Sequence, residues 1–93
     1  MITGYRDIET KKIHHGEYSM KFPREMQRIA LRKLIMMDNA ANLNDLRVPP
    51  GNRLEKLQGD RKGQYSIRIN QQYRICFSVV DNGFSDVEIT DYH

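Results

Sequence analysis

The stretch Tyr65-Ser66-Ile67-Arg68-Ile69-Asn70-Gln71-Gln72-Tyr73-Arg74-Ile75-Cys76-Phe77-Ser78-Val79-Val80 decides the fold. Apolar residues recur in it at every second position: Tyr65, Ile67 and Ile69, then Tyr73, Ile75, Phe77 and Val79. That period marks two half-buried strands, because successive side chains of an extended chain point to opposite faces. Directly opposed residues of an antiparallel pair share a face. Putting both apolar sets on one face therefore pairs Ile69 with Tyr73 and Arg68 with Arg74, across a three-residue loop, Asn70–Gln72. A two-residue turn at Gln71-Gln72 would pair Ile67 with Cys76 and break the pattern. Two arginines then oppose one another on the face away from the core. Like charges so placed repel. The pair reads either as two side chains extending into water or as a preformed phosphate site, a task suited to arginine's planar, permanently charged fork.

Working outward, Asn52–Leu57 reads as a strand before this hairpin and Asp86–Tyr92 as one after it. Gly59-Asp60 and Asp81-Asn82-Gly83 supply the turns. Upstream the period changes to three and four: Met26, Ile29, Ala30, Leu34, Met37 and Ala41 mark the buried face of a helix that begins at Pro23. Its methionines read as flexible core filler. Asp7 is a candidate N-cap for a shorter helix running to about His15, with Gly16 as its stop. Ile2–Tyr5 is a short candidate opening strand, and Asn42–Leu46 adds a helical turn before Val48-Pro49-Pro50-Gly51 breaks regular structure. The expected fold is α+β: two N-terminal helices packed on a mainly antiparallel sheet of four to five strands.

Composition bounds the function. Ninety-three residues, 39% hydrophobic and 29% charged, make residues 1–93 one small domain. The lone Cys76 excludes an intramolecular disulfide framework and a cysteine-based zinc cluster. His14 and His15 are adjacent and read as surface residues near a helix end, so no metal site and no cofactor are expected. Neither an 18-residue apolar window nor an apolar signal core is present, which points away from membranes and toward the cytoplasm. There is no glycine-rich phosphate loop and no Ser-His-Asp order.

The net charge of +3 hides an uneven distribution. Between Asn52 and Arg74 stand six cations (Arg53, Lys56, Arg61, Lys62, Arg68, Arg74) and two acids, a balance of +4. From Asp81 onward there are four acids and no Lys or Arg, a balance of −4. Such a pattern is either a solvated surface or an anion site with proton-transfer groups brought from a neighbouring strand. By alternation Val87, Ile89 and Asp91 lie on one side of the final strand, and Glu88, Thr90 and Tyr92 on the arginine side. His93 adds an imidazole that can act as acid or base near neutral pH. Arg24, Arg28 and Arg32 share a helix face that is either solvated or a contact for a partner or for nucleic-acid phosphates.

The segments Asn52-Arg53-Leu54-Glu55-Lys56-Leu57, Gly59-Asp60-Arg61-Lys62-Gly63, Ser66-Ile67-Arg68-Ile69-Asn70, Tyr73-Arg74-Ile75-Cys76-Phe77 and Asp91-Tyr92-His93 occur in an order that resembles the HigB-type toxins. These belong to the RelE superfamily of type II toxin–antitoxin systems, and the resemblance covers nearly the whole chain. It implies a ribosome-dependent endoribonuclease that enters the A site of the small ribosomal subunit (30S) and cuts messenger RNA. It implies neutralisation by a HigA-type helix-turn-helix antitoxin, with a monomeric free toxin and an oligomeric complex. By position, Arg74 matches the catalytic arginine, and Asp91, Tyr92 and His93 match the functional tail. Asn70 stands where some relatives carry a further basic residue. One departure is plain: many relatives have His-Pro-Leu-Lys where this chain has Glu55-Lys56-Leu57-Gln58, so Glu55 replaces the histidine and Gln58 the lysine.

Metal-independent RNA cleavage needs a base for the 2′-hydroxyl, cations for the phosphorane and an acid for the departing 5′-oxygen. The expected assignment gives the phosphate to Arg74, assisted by Arg68 or Lys56. Glu55 or Asp91 is the base, His93 the acid, and Tyr92 positions the nucleotide. Arg53, Lys56, Arg61, Lys62, Arg68 and Asn70 form the expected RNA-binding set. The competing readings are a non-catalytic RNA- or ribosome-binding module that blocks translation, and a structural subunit acting through a partner.

Overall fold

The computed structural model describes residues 1–91. The Asp7 carboxylate accepts the Thr10 amide at 2.7 Å and starts α1 (Ile8–His14), and Gly16 at φ 81° turns the chain. The next helix, α2 (Arg24–Asn39), follows Pro23, whose fixed φ suits the position just before the first turn. Between the two helices the buried Gln27 pins the connecting loop. Its amide donates to the Ser19 and Phe22 carbonyls at 2.7 and 2.8 Å and accepts from the Ser19 amide at 3.0 Å. Ala41 lies beyond the end of α2 and is exposed, so it is not part of the buried face.

Four antiparallel strands form one sheet in chain order: β1 (Glu55–Lys56), β2 (Gln64–Arg68), β3 (Tyr73–Val80) and β4 (Gly83–Asp91). The hairpin register is the one that parity predicts, with Ile67 opposite Ile75 and Arg68 opposite Arg74. The loop is closed by Asn70, whose side-chain oxygen accepts the Gln72 and Tyr73 amides, both at 2.8 Å. The helices pack on one side of the sheet. Met26, Ala30, Leu34 and Met37 of α2 join Ile67, Ile75, Phe77, Phe84, Val87 and Ile89 in a single apolar cluster.

Two strands differ from expectation. Asn52–Leu57 is extended only at Glu55–Lys56, because Pro50–Asn52 coils into a 3₁₀ turn and Arg53 adopts left-handed φ 46°, ψ 55°. The last strand begins at Gly83 rather than Asp86. A bulge lies between its pairings Cys76–Glu88 and Ser78–Ser85, and Asp86 has φ 51°. The extra residue lets Phe84 and Val87, three apart, both face the core. Val79 lies past this shift and is exposed. Residues 1–6 run beside β4 in parallel. Amide–carbonyl bonds join Phe84 to Met1 and Thr3, each at 2.8 Å, and Val87 to Gly4 and Arg6 at 3.2 and 3.0 Å. Gly83 is required there, since a Cβ would meet the Met1 carbonyl oxygen at 1.9 Å.

Candidate functional site

On the far side of the sheet β3 stays buried from Tyr73 through Phe77, without the exposed alternate residues of a half-solvated strand. Part of the reason is the chain from Pro50 to Arg61, which reaches this face through Arg53 and Arg61. Arg74, only 8% exposed, is held within it. Its Nε donates to Ser66 Oγ at 2.7 Å, and one terminal nitrogen donates to the Arg53 carbonyl at 2.7 Å and the Ser66 carbonyl at 3.5 Å. Arg68 turns the other way, its Nε donating to the Asn70 carbonyl at 3.1 Å. The opposed arginines thus aim their head groups at different acceptors, which eases the repulsion their register imposes.

Glu55 is opposite Ser66, and so shares the arginine face. Glu55 and Lys56 are exposed and line a shallow cleft of about 380 Å³ with Leu57, Gln58, Asp60 and Arg61. An adjoining cleft of about 480 Å³ is lined by Arg6, Asp60, Arg61, Lys62, Gln64 and Ser78. Arg61 bridges the two, bonded to Gln64 Oε1 at 3.1 Å and paired with Glu88 at 3.0 Å. Arg53 and Lys62 are exposed, while the side-chain oxygen of Asn70 serves its own loop.

Asp91 pairs with Tyr73, on the helix side as alternation requires, and its carboxylate accepts from the Gln72 side-chain Nε2 at 3.0 Å. The expectations for Tyr92 and His93 fall outside the described residues. Arg24, Arg28 and Arg32 are exposed on α2, with Arg24 lying over the Tyr18 ring at 4.9 Å.

Sequence reasoning passed over three side chains. Ser66 was findable, because the parity that opposes Arg68 to Arg74 also puts Ser66 on their face. Asn52 and Lys33 gave no signal. The buried Asn52 amide donates to the Leu46 and Val48 carbonyls at 3.1 and 3.3 Å, and its oxygen accepts from Lys33. Burial lowers the Lys33 pKa, helped by the neighbouring Arg32 charge.

His14 corrects a further expectation. It is not a surface residue: its side chain is 12% exposed, and its Nδ1 meets the Tyr5 hydroxyl at 2.5 Å. Its Nε2 stands 3.9 Å from Asp38. Burial lowers the His14 pKa, with Asp38 opposing and His15 adding to the shift, while burial and then Asp38 raise that of Tyr5. His15 is exposed. Among the described residues no three His, Cys, Asp or Glu side chains converge as metal ligands, and no helix is long and apolar enough to cross a membrane.

The family described as "RelE-like toxin of type II toxin-antitoxin system HigB" matches residues 5–93. Toxin HigB-1 of Vibrio cholerae is 49% identical over 59 residues, which make up 63% of this chain and 62% of that protein. The matched stretch therefore spans under two thirds of that relative. An uncharacterised protein of Haemophilus influenzae is 40% identical over 68 residues, 73% of this chain and 67% of its own. Among solved structures, a YoeB-YefM complex from Staphylococcus aureus is similar with a TM-score of 0.61 and 22% identity, over 100% of this chain and 95% of that one. A likeness at that identity speaks to the fold.

Proposed function

Because the chain belongs to the HigB-like toxins, the RelE-like toxins of type II toxin–antitoxin systems, we propose that it is a ribosome-dependent endoribonuclease that cuts messenger RNA in the ribosomal A site. The observation that carries this reading is Arg74, a guanidinium kept 8% exposed by acceptors on two of its nitrogens, on the sheet face shared with Glu55. A charge immobilised in a partly desolvated site stabilises developing charge without reorganising when the reaction occurs.

In the proposed reaction Glu55 takes the proton of the 2′-hydroxyl, and the freed oxygen attacks the adjacent phosphorus. Arg74, assisted by Arg68 or Lys56, neutralises the non-bridging oxygens of the phosphorane. The bond from phosphorus to the 5′-oxygen breaks as His93 gives that oxygen a proton, leaving a 2′,3′-cyclic phosphate and a 5′-hydroxyl. No metal ion enters this scheme. Glu55 is the preferred base, since its register partner is Ser66 whereas Asp91 pairs with Tyr73 on the helix side. Asp91 steadies the β2–β3 loop through Gln72, and Tyr92 stacks on or bonds to the nucleotide. Lys56, Arg61 and Lys62 at the two clefts follow the RNA backbone, together with Arg53, Arg68 and Asn70 beyond them.

Residues 1–93 act as one toxin unit in the cytoplasm, neutralised by a HigA-type helix-turn-helix antitoxin. A solved neighbour captured as a YoeB-YefM complex supports a protein partner. The free toxin is monomeric and the complex oligomeric. The test is mapping of cleavage ends on a message translated in extract with wild type and Arg74→Ala. Wild type gives cuts at codon-spaced positions and Arg74→Ala gives none, while antitoxin binding survives. Cuts by Arg74→Ala overturn the assignment. A translation block by wild type without cuts makes the chain a binding module instead.

A further inference from the structure

The cleavage scheme uses the Arg74 guanidinium but not the groups that aim it. Ser66 is fully buried, yet its hydroxyl is aimed at a buried cation rather than at a backbone group of its own strand. The Arg53 carbonyl arrives from a separate segment. It reaches Arg74 because Arg53 holds a left-handed conformation that a residue with a Cβ seldom adopts. That conformation follows the Pro50–Asn52 turn, in which the Arg53 amide donates to the Pro50 carbonyl at 3.0 Å. The turn is fastened by Asn52 to the Leu46 and Val48 carbonyls and to Lys33 of α2. A chain of bonds thus runs from the helix layer through the loop to the guanidinium.

We propose that Ser66 is a positioning residue for the reaction, which together with the Arg53 carbonyl forms a two-sided cradle that fixes the plane of the Arg74 guanidinium before substrate arrives. The cradle works by direction. An arginine in water samples several rotamers around each bond of its stem, and each must be frozen to place a bidentate fork on a phosphate. Acceptors at 2.7 Å on Nε and on a terminal nitrogen fix the plane and its rotation together, so that cost is met during folding. The Ser66 hydroxyl and the Arg53 carbonyl are neutral, so neither of them cancels the charge that the phosphorane requires. A carboxylate at either place would cancel it.

This inference rests on the proposed cleavage for its catalytic consequence, but the cradle itself is measurable in the free protein. The Arg74 Nε–H signal is assigned by its loss in Arg74→Lys, and its exchange with solvent is followed by NMR. In wild type it is resolved and protected. In Ser66→Ala it moves toward the position of exposed arginines and exchanges faster, and in Ser66→Thr, which keeps the hydroxyl, protection remains. In single-turnover cleavage on programmed ribosomes, Ser66→Ala lowers the maximal rate by about tenfold to a hundredfold. The half-saturating ribosome concentration stays near wild type, the melting temperature falls by a few degrees but leaves the protein folded at the assay temperature, and Ser66→Thr restores the rate. Unchanged Nε–H protection in Ser66→Ala overturns the cradle, whatever the cleavage result. A wild-type rate in Ser66→Ala, or a loss matched by its unfolded fraction, overturns the positioning role. Lost protection together with a wild type that never cuts RNA leaves the cradle standing and removes the cleavage scheme.

Discussion

On the helix side of the sheet, Ile67, Ile75, Phe77, Val87 and Ile89 meet Met26, Ala30, Leu34 and Met37. On the far side Ser66, Arg74 and Cys76 are almost as deeply buried, at 0%, 8% and 0% exposure. The first side is held by apolar area, which is non-directional and shared among many contacts. At the second, hydrogen bonds hold Arg74, each with a length and an angle. A methyl lost from the first side costs free energy but leaves its neighbours where they were. A hydroxyl lost from the second frees the direction of a charged group. The same sheet therefore separates the part of the protein that sets stability from the part that sets geometry.

The sharpest way to break this comparison is Phe77→Ala. The ring is fully buried against Tyr65 and Phe84, and its removal should cost about 3–5 kcal/mol in urea unfolding. A loss under about 1 kcal/mol would mean that the helix side is not the main source of stability. Asn52→Ala comes next, at about 1–3 kcal/mol, because two backbone carbonyls and the Lys33 ammonium lose their partner. It should also slow the proposed RNA cleavage beyond its loss of folded protein, since the turn carrying the Arg53 carbonyl is released. Equal stability and rate losses would erase the distinction between the two sides.

The smallest effect concerns a polar group in the helix layer. Folding lowers the His14 pKa below its ordinary 6.5, chiefly by burial. Below pH 6.5 the unfolded chain takes up a proton that the folded one resists. The contribution of His14 is thus complete above that value and is lost as pH falls through the folded pKa. Melting temperature should decline across that window in wild type and decline less in His14→Gln. Parallel pH profiles would show that His14 is not the group responsible.

How much of this could be read from residue order depends on how strictly each element keeps its period. The hairpin does so from Tyr65 to Phe77, and the opposition of Arg68 to Arg74 follows from it by counting. Asn52-Arg53-Leu54-Glu55-Lys56-Leu57 reads as a strand but keeps no period of two, its leucines being three apart. There the Asn52 amide finds carbonyls at Leu46 and Val48, and these tertiary bonds override local preference. β4 hides its first residues for another reason: Phe84 and Val87 are three apart, and only a bulge at Asp86 reconciles them with one face. His14 departs from expectation because a histidine at the end of a short helix gives no hint that Tyr5 and Asp38 will close over it. At the candidate site, residue types and face were legible, whereas the acceptors of Arg74 were not. A carbonyl exists at every position, and only the backbone path decides which one arrives.

The run of residues 1–6 along β4 has a consequence for how the protein meets other chains. It occupies backbone groups of β4 at Phe84 and Val87 that would otherwise be open to a foreign strand. At the other margin β1 is two residues long, and both are charged. Edge-to-edge growth into fibres needs a long, uncharged row of unpaired amides and carbonyls, and among the described residues neither β1 nor the Phe84–Val87 stretch of β4 supplies one. A foreign strand approaching these two places finds the backbone already taken or guarded by charge.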